Sequence, residues 1–289
     1  MRNLSVALSV LCISSFARAD SPAERVAAAF AALRNGDHTL QDNITGLGGA
    51  AVPLVAPYLH DRSEDVRIGV VVALVAAQTD ETLPYLARAM EDPSTQIRER
   101  VARSLYFKYD PAKIAKLPGL GAAIREDVKQ SLIFAPPILL LSYFPGPDTE
   151  RVLSDLEGGR HRDVPIRFYT WSPEVPASLV ALVARAHLRS PGADEALAKR
   201  TDGASLDELE FLLHAARELD ESAVRRLLPA LDDHRRLRDT VTHPPDAQLC
   251  DLAVTALVER LHLPVKFPTD LNKRYTRQQI ATVKRLVGR

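Results

Sequence analysis

Residues 51–75 read AVPLVAPYLHDRSEDVRIGVVVALV, and residues 82–106 read TLPYLARAMEDPSTQIRERVARSLY. A displacement of 31 residues brings Pro53 onto Pro84, Ala56 onto Ala87, Asp61 onto Asp92 and Ser63 onto Ser94. It also brings Arg67 onto Arg98, Val70 onto Val101 and Leu74 onto Leu105. Val52, Val55, Ala56 and Leu59 pair in kind with Leu83, Leu86, Ala87 and Met90, at the i, i+3, i+4, i+7 spacing of one helical stripe. A second stripe follows in each copy: Val66, Val70, Ala73, Leu74 and then Ile97, Val101, Ser104, Leu105. Between the stripes, Asp61-Arg62-Ser63 and Asp92-Pro93-Ser94 supply turn and helix-capping chemistry. Neither helix of such a pair can bury its stripe alone. Tandem copies therefore predict an all-α fold, an α-solenoid of stacked helix pairs.

The apolar helix, the Asp-x-Ser turn and the Val/Ile-Arg opening of the second helix resemble HEAT repeats, in particular the short bacterial HEAT-like type. The resemblance is clear over residues 47–107. It implies that Asp61, Arg67, Asp92 and Arg98 link neighbouring repeats by stacked polar contacts, a structural role. The unit returns in altered form near the C-terminus, where Val224, Leu227, Leu228, Leu231 and Asp233 match Leu83, Leu86, Ala87, Met90 and Asp92. Gln248, Leu249, Ala253 and Leu257 then match Gln96, Ile97, Val101 and Leu105, after eleven inserted residues, 234–244. Cys250 stands where Arg98 is expected, so the turn arginine is lost. The segment from Leu249 to Leu257 is similar to the last repeat of exported bacterial HEAT-like proteins. There a short apolar strand or loop and a final basic helix follow, roles that residues 265–267 and 275–287 would fill.

Between the clear and the altered repeats the pattern is irregular. Residues 111–176 hold nine of the twenty prolines, which favours short helices with ordered connections. Helices are expected at 120–134, 137–143 and 148–157. Clear periodicity resumes at 177–190, 205–219 and 221–231, with Leu206, Leu209, Leu213 and Ala216 as one stripe. No stretch alternates well enough to predict a sheet. The expectation is one solenoid domain over residues 20–289: clear repeats at 47–107, an irregular Pro-rich centre at 108–176, degenerate repeats at 177–262 and a basic capping segment at 263–289.

Residues 1–19 carry the marks of a signal peptide. Arg2 precedes an apolar run over residues 4–16, and Ala17-Arg18-Ala19 puts small residues at the positions signal peptidase reads. The run is too short to span a bilayer, which takes roughly 20 residues. Cleavage near Ala19 predicts export to the periplasm or beyond, and leaves Cys250 as the single cysteine, unable to form an internal disulfide. No later segment reads as an integral membrane span. The whole chain balances 37 basic against 37 acidic residues, so no net field would gather nucleic acid.

Catalytic patterns are absent. Gly46, Gly48 and Gly49 lack the lysine of a phosphate loop, and the chain has no serine elbow, no His-Glu-x-x-His and no Cys-x-x-Cys. A HEAT-like family that hydroxylates protein lysines binds iron through His-Glu dipeptides, and the eight histidines here form none. Phycobilin lyases share short HEAT-like units, but no further motif connects them to this chain. Asp207, Glu208 and Glu210 are expected on a solvated helix face. Cys250 is expected to be a buried small hydrophobe.

Three features invite a partner. The insertion carries Arg235, Arg236 and Arg238, and guanidinium groups grip carboxylates in pairs of bonds. Its two histidines, His234 and His243, are too few to predict a metal site, and no metal or other cofactor is expected. The aromatic patch Phe168, Tyr169, Trp171 is the second feature, suited to an interface anchor or to the core. The third is the basic end, Lys273, Arg274, Arg277, Lys284, Arg285 and Arg289, opposed by Asp270. The reading is a non-enzymatic exported scaffold that engages a protein partner, such as a periplasmic adaptor or immunity-type protein. The alternative is an enzyme with its site in residues 111–176. No catalytic residue is assigned.

Overall fold

The computed structural model describes residues 21–39, 41–168, 172–237 and 243–288. Helix accounts for 65% of the structure, and the chain divides into two compact units, one ending at Tyr85 and the other beginning at Leu86.

In the first unit, helix Pro22–Arg34 opens on a capping box. The Glu24 amide donates to the Ser21 hydroxyl, and the Glu24 carboxylate accepts from the Ser21 amide at 2.7 Å. Val26, Ala29, Phe30 and Leu33 form its buried stripe and pack on helix Glu64–Ala77. That helix can come close because Gly69 faces the stripe: a Cβ there would lie 2.6 Å from Leu33 Cδ1. The first helix of the repeat, at residues 48–58, alternates 3₁₀ and α turns around Pro53 and Pro57.

The second unit packs helix Thr95–Lys108 against Ala135–Leu140, Pro147–Gly158 against Ala177–His187, and Leu206–His214 against Leu249–Arg260. The expected short helices of the centre are present as Leu120–Gln130, Ala135–Leu140 continued by Leu141–Tyr143, and Pro147–Gly158. Both second-helix stripes are buried, with Val66, Val70, Leu74, Val101 and Leu105 at 0% exposure. Residues 265–267 form a loop, and the final basic helix is Arg277–Val287.

Three expectations need correction. A small antiparallel sheet exists: Pro165–Arg167 pairs with Glu174–Pro176, placing Ile166 opposite Val175. Strands of three residues are too short to show as alternation, and prolines lie at both outer ends, where a missing amide costs little. The expected stripe of helix Leu206–His214 holds in its second half only: Leu213 and Ala216 are buried, Leu206 and Leu209 are half-buried, and Phe211, Leu212 and Ala215 share the core. The acidic residues of that helix are accordingly not on a solvated face. Glu210 is 0% exposed and Glu208 is 9% exposed. Glu208 is held there by a capping box with Ser205 and an ion pair to Arg200.

Candidate functional site

The repeat turns show what is structural. Asp61 Oδ1 accepts from the Ser63 amide at 2.9 Å, and Asp92 Oδ1 from the Ser94 amide at 2.8 Å. Arg67 donates to the Asp61 carbonyl at 2.9 Å, and Arg98 to the Asp92 carbonyl at 2.8 Å. Asp61 reaches back to Arg34 at 2.6 Å, and buried Arg98 reaches forward to Asp127 at 2.6 Å. The linkage between helix pairs that the resemblance implied is present at Asp61 and Arg98, while the bonds of Arg67 and Asp92 described above lie within their own turns.

The third turn is built the same way without the arginine. Asp233 Oδ1 accepts from the Arg235 amide at 3.0 Å. The Asp233 carbonyl accepts from the backbone amide of Cys250 at 3.0 Å, so the main chain supplies the bond that Arg67 and Arg98 supply elsewhere. Cys250 is buried, and burial pushes its thiol up to about 11.

The insertion begins and ends as a zipped ladder. The Leu249 amide donates to the Arg235 carbonyl and the Leu237 amide to the Ala247 carbonyl, both at 3.0 Å, with Arg236 bridged to Gln248. Leu237 and Ala247 are buried while Arg235 and Arg236 are exposed. Arg235 is engaged at home, bridged to Asp233 at 2.5 Å, and that bond holds its guanidinium above its ordinary value. Arg238, Tyr169 and Trp171 lie outside the described residues, as do Arg289 and the leader at residues 1–19.

The aromatic patch and the insertion, far apart in sequence, meet through His214. Phe168 is 1% exposed and packs edge-on against Tyr106 and Phe211, with ring centroids 5.8 and 5.6 Å away. On its other side it stacks with His214 at 5.6 Å, and His214 in turn meets His243 at 5.4 Å. The basic end joins the same place. His243 bonds the Leu271 carbonyl at 2.7 Å, and Arg274 pairs with Asp246 and lies 3.7 Å from Asp251. Lys284 pairs with Asp232, so part of the basic end is neutralised within the unit. Leu271 is itself 42% exposed, an apolar side chain beside the insertion. His214 carries no motif, and only its neighbours in space mark it.

Beneath this column lies a polar cluster that sequence reasoning missed. The Glu218 carboxylate, 2% exposed, accepts from the Tyr143 hydroxyl and from Arg217 Nε, each at 2.8 Å, with His187 Nδ1 at 3.2 Å. Arg217 lies over the Tyr106 ring at 3.5 Å and also donates to the Tyr106 carbonyl. Burial, then the Glu218 charge, pushes the Tyr143 phenol up. Burial opposes the charge of Arg217, but Tyr106, Tyr143 and Glu218 hold it above its ordinary value. These groups answer one another and fix the centre of the unit. An open hollow of about 360 Å³ lies nearby, lined by Glu157, Arg162, Ser178, Lys199 and Arg200. Glu157 there is paired with Arg185, and Arg200 with Glu208.

Comparison with known proteins bears on the fold. No curated protein sequence matches the chain. The phycocyanin lyase complex of CpcE and CpcF from Nostoc sp. is similar in structure, with a TM-score of 0.51 and 15% identity over 93% of this chain and 94% of that one. At that identity the likeness concerns the fold alone. A family model described as HEAT repeats matches residues 13–106 and 52–135. With that match and with turns built as described, residues 13–135 carry HEAT repeats.

Proposed function

We propose that the protein is an exported, non-enzymatic scaffold that engages another polypeptide on the surface formed by the insertion and the C-terminal segment. The observation that carries the reading is that the insertion and the C-terminal segment meet, through His243 with the Leu271 carbonyl and Asp246 with Arg274, while Leu271 and Arg236 are themselves exposed. An apolar anchor flanked by guanidinium groups suits a polypeptide that presents carboxylates around a hydrophobic side chain.

The test is capture of the partner by the mature chain from an envelope extract, followed by binding measurements on Arg235→Ala with Arg236→Ala. The double variant should weaken binding, mainly through a slower and more salt-sensitive association, with the melting temperature nearly unchanged. Because Arg235 is engaged by Asp233, most of the loss should come from Arg236. Unchanged affinity at low salt would make the insertion a connector only. Recovery of the processed chain with Asp20 at its N-terminus from the periplasm or medium tests export.

A further inference from the structure

Helix Ala177–His187 packs against both Pro147–Gly158 and Ala193–Asp202, and residues of all three line the hollow of about 360 Å³. Ligand pockets begin at about 300 Å³, so the space suits a small group rather than a folded surface. Leu179, Leu182 and Ala196 give it an apolar part. Its polar part holds three cations, Arg162, Lys199 and Arg200, against one carboxylate, Glu157.

The lining is fixed by bonds that leave donors to spare. The Ser178 amide donates to the Arg162 carbonyl and the Ala177 amide to the Val164 carbonyl, both at 2.9 Å, which ties the Arg162 loop to the first turn of helix Ala177–His187. The Ser178 hydroxyl, also in the lining, makes no hydrogen bond among the described residues. Glu157 gives its Oε2 to Arg185, which Glu150 shares. Arg200 donates from Nε and Nη2 to one oxygen of Glu208, and its Nη1 has no partner among the described residues. Arg162 lies 3.4 Å from Asp163 with both side chains more than half exposed, a pair worth at most about 1 kcal/mol. Lys199 is exposed and has neither an ion pair nor a hydrogen bond among the described residues.

We propose that the hollow binds a carboxylate carried on a short aliphatic group. Lys199, Arg200 Nη1 and the Ser178 hydroxyl take the carboxylate, and Leu182 and Ala196 take the aliphatic part. An ammonium, a guanidinium nitrogen and a hydroxyl are donors that suit the two oxygens of a carboxylate. Every other charged residue of the lining has a partner, so Lys199 leaves one positive charge to answer. That fits a carboxylate better than a phosphate group, with its charge of about −1.5 to −2. Two sources carry this chemistry, the last residue of a polypeptide with an aliphatic side chain and a free aliphatic acid. The site is separate from the insertion, and neither reading depends on the other.

The test titrates the chain lacking residues 1–19 with N-acetyl-leucine, with a short peptide ending in leucine and with the amide of each, followed by backbone amide NMR shifts. Both acids should bind saturably and shift the amides of Ser178, Ala196 and Lys199. Amidation should weaken binding by more than about tenfold, the effect of losing a hydrogen bond to a charged group. Lys199→Gln should weaken both acids by a similar factor with the melting temperature nearly unchanged. Ala196→Phe, which fills the apolar part, should abolish binding, and Lys266→Gln should leave it as it is. A tighter peptide names a polypeptide C-terminus as the source and a tighter N-acetyl-leucine names a free acid, and either result supports the site. Should Ala196→Phe fail to fold, Lys199→Gln decides. The proposal is overturned if neither acid binds saturably, if the amides bind as well as the acids, or if Lys199→Gln binds like the wild type. It is equally overturned if inorganic phosphate binds there more tightly than both acids.

Discussion

Leu105→Ala is expected to destabilise the second unit by about 3–4 kcal/mol. Leu105 is 0% exposed, on a helix that packs against Ala135–Leu140. Truncation removes three buried carbons, about 2.4 kcal/mol at roughly 0.8 kcal/mol each. The neighbours sit on rigid helices and cannot fully collapse into the hole. At roughly 24 cal/mol per Å³, the remaining void adds about 1–2 kcal/mol. In a unit of this size each kcal/mol lowers the melting temperature by about 2–4 °C, so a fall of about 6–16 °C is expected. Urea unfolding followed by circular dichroism measures the difference, and an unchanged m-value shows that the same transition is being read. Lys108→Ala, on the exposed side of the same helix, is the control and should stay within about 0.5 kcal/mol. A loss below about 0.5 kcal/mol at Leu105 would place it on the surface. The register of helix Thr95–Lys108 would then be wrong, and with it the equivalence to Leu74.

Two further outcomes test other parts of the molecule. The Arg34 side chain, and then the Ser63 amide, hold the Asp61 carboxyl below the usual carboxylate range. Because the folded value is the lower one, the bridge stabilises above the ordinary carboxylate value and fades as pH falls through the depressed one. The difference in melting temperature between wild type and Arg34→Ala should therefore be present at pH 7 and shrink once pH falls below the ordinary carboxylate range, and a constant gap would refute the linkage. With the Cys250 thiol buried and pushed up to about 11, a disulfide reagent at about pH 8 should label the native chain far more slowly than the denatured one. Rapid labelling of native protein would contradict the burial.

The repeats were legible because their signal is local. Asp61, Ser63 and Arg67 act within one turn, and the stripes that flank them repeat at a helical period, so copying the spacing copies the structure. The polar cluster and the histidine column were not legible because they depend on separation that no period encodes. Tyr143 meets Glu218 across 75 residues, and His214 meets His243 only because the insertion is folded back on the unit. Glu210 shows a different failure. A carboxylate between Leu209 and Phe211 reads as solvated, yet helix Leu206–His214 is covered on more than one side, and a single stripe of Leu206, Leu209, Leu213 and Ala216 caught only part of the buried surface. The short sheet was hidden by its length and by its prolines.

The main-chain bond from Cys250 to Asp233 has a consequence for how this chain can change. In the earlier turns a mutation at Arg67 or Arg98 removes the clamp, so those turns tolerate little rewriting. At the third turn the clamp is the polypeptide itself, and any residue except proline at position 250 supplies the same amide. The ladder closes the base from Asp233 to Cys250, so the turn is held by the two ends of the insertion. Doubling such a loop costs only about 0.6 kcal/mol in closure entropy. Descendants of this sequence can therefore lengthen the insertion without rebuilding the turn, provided that the ladder and the contacts of His243 and Asp246 with the C-terminal segment are kept.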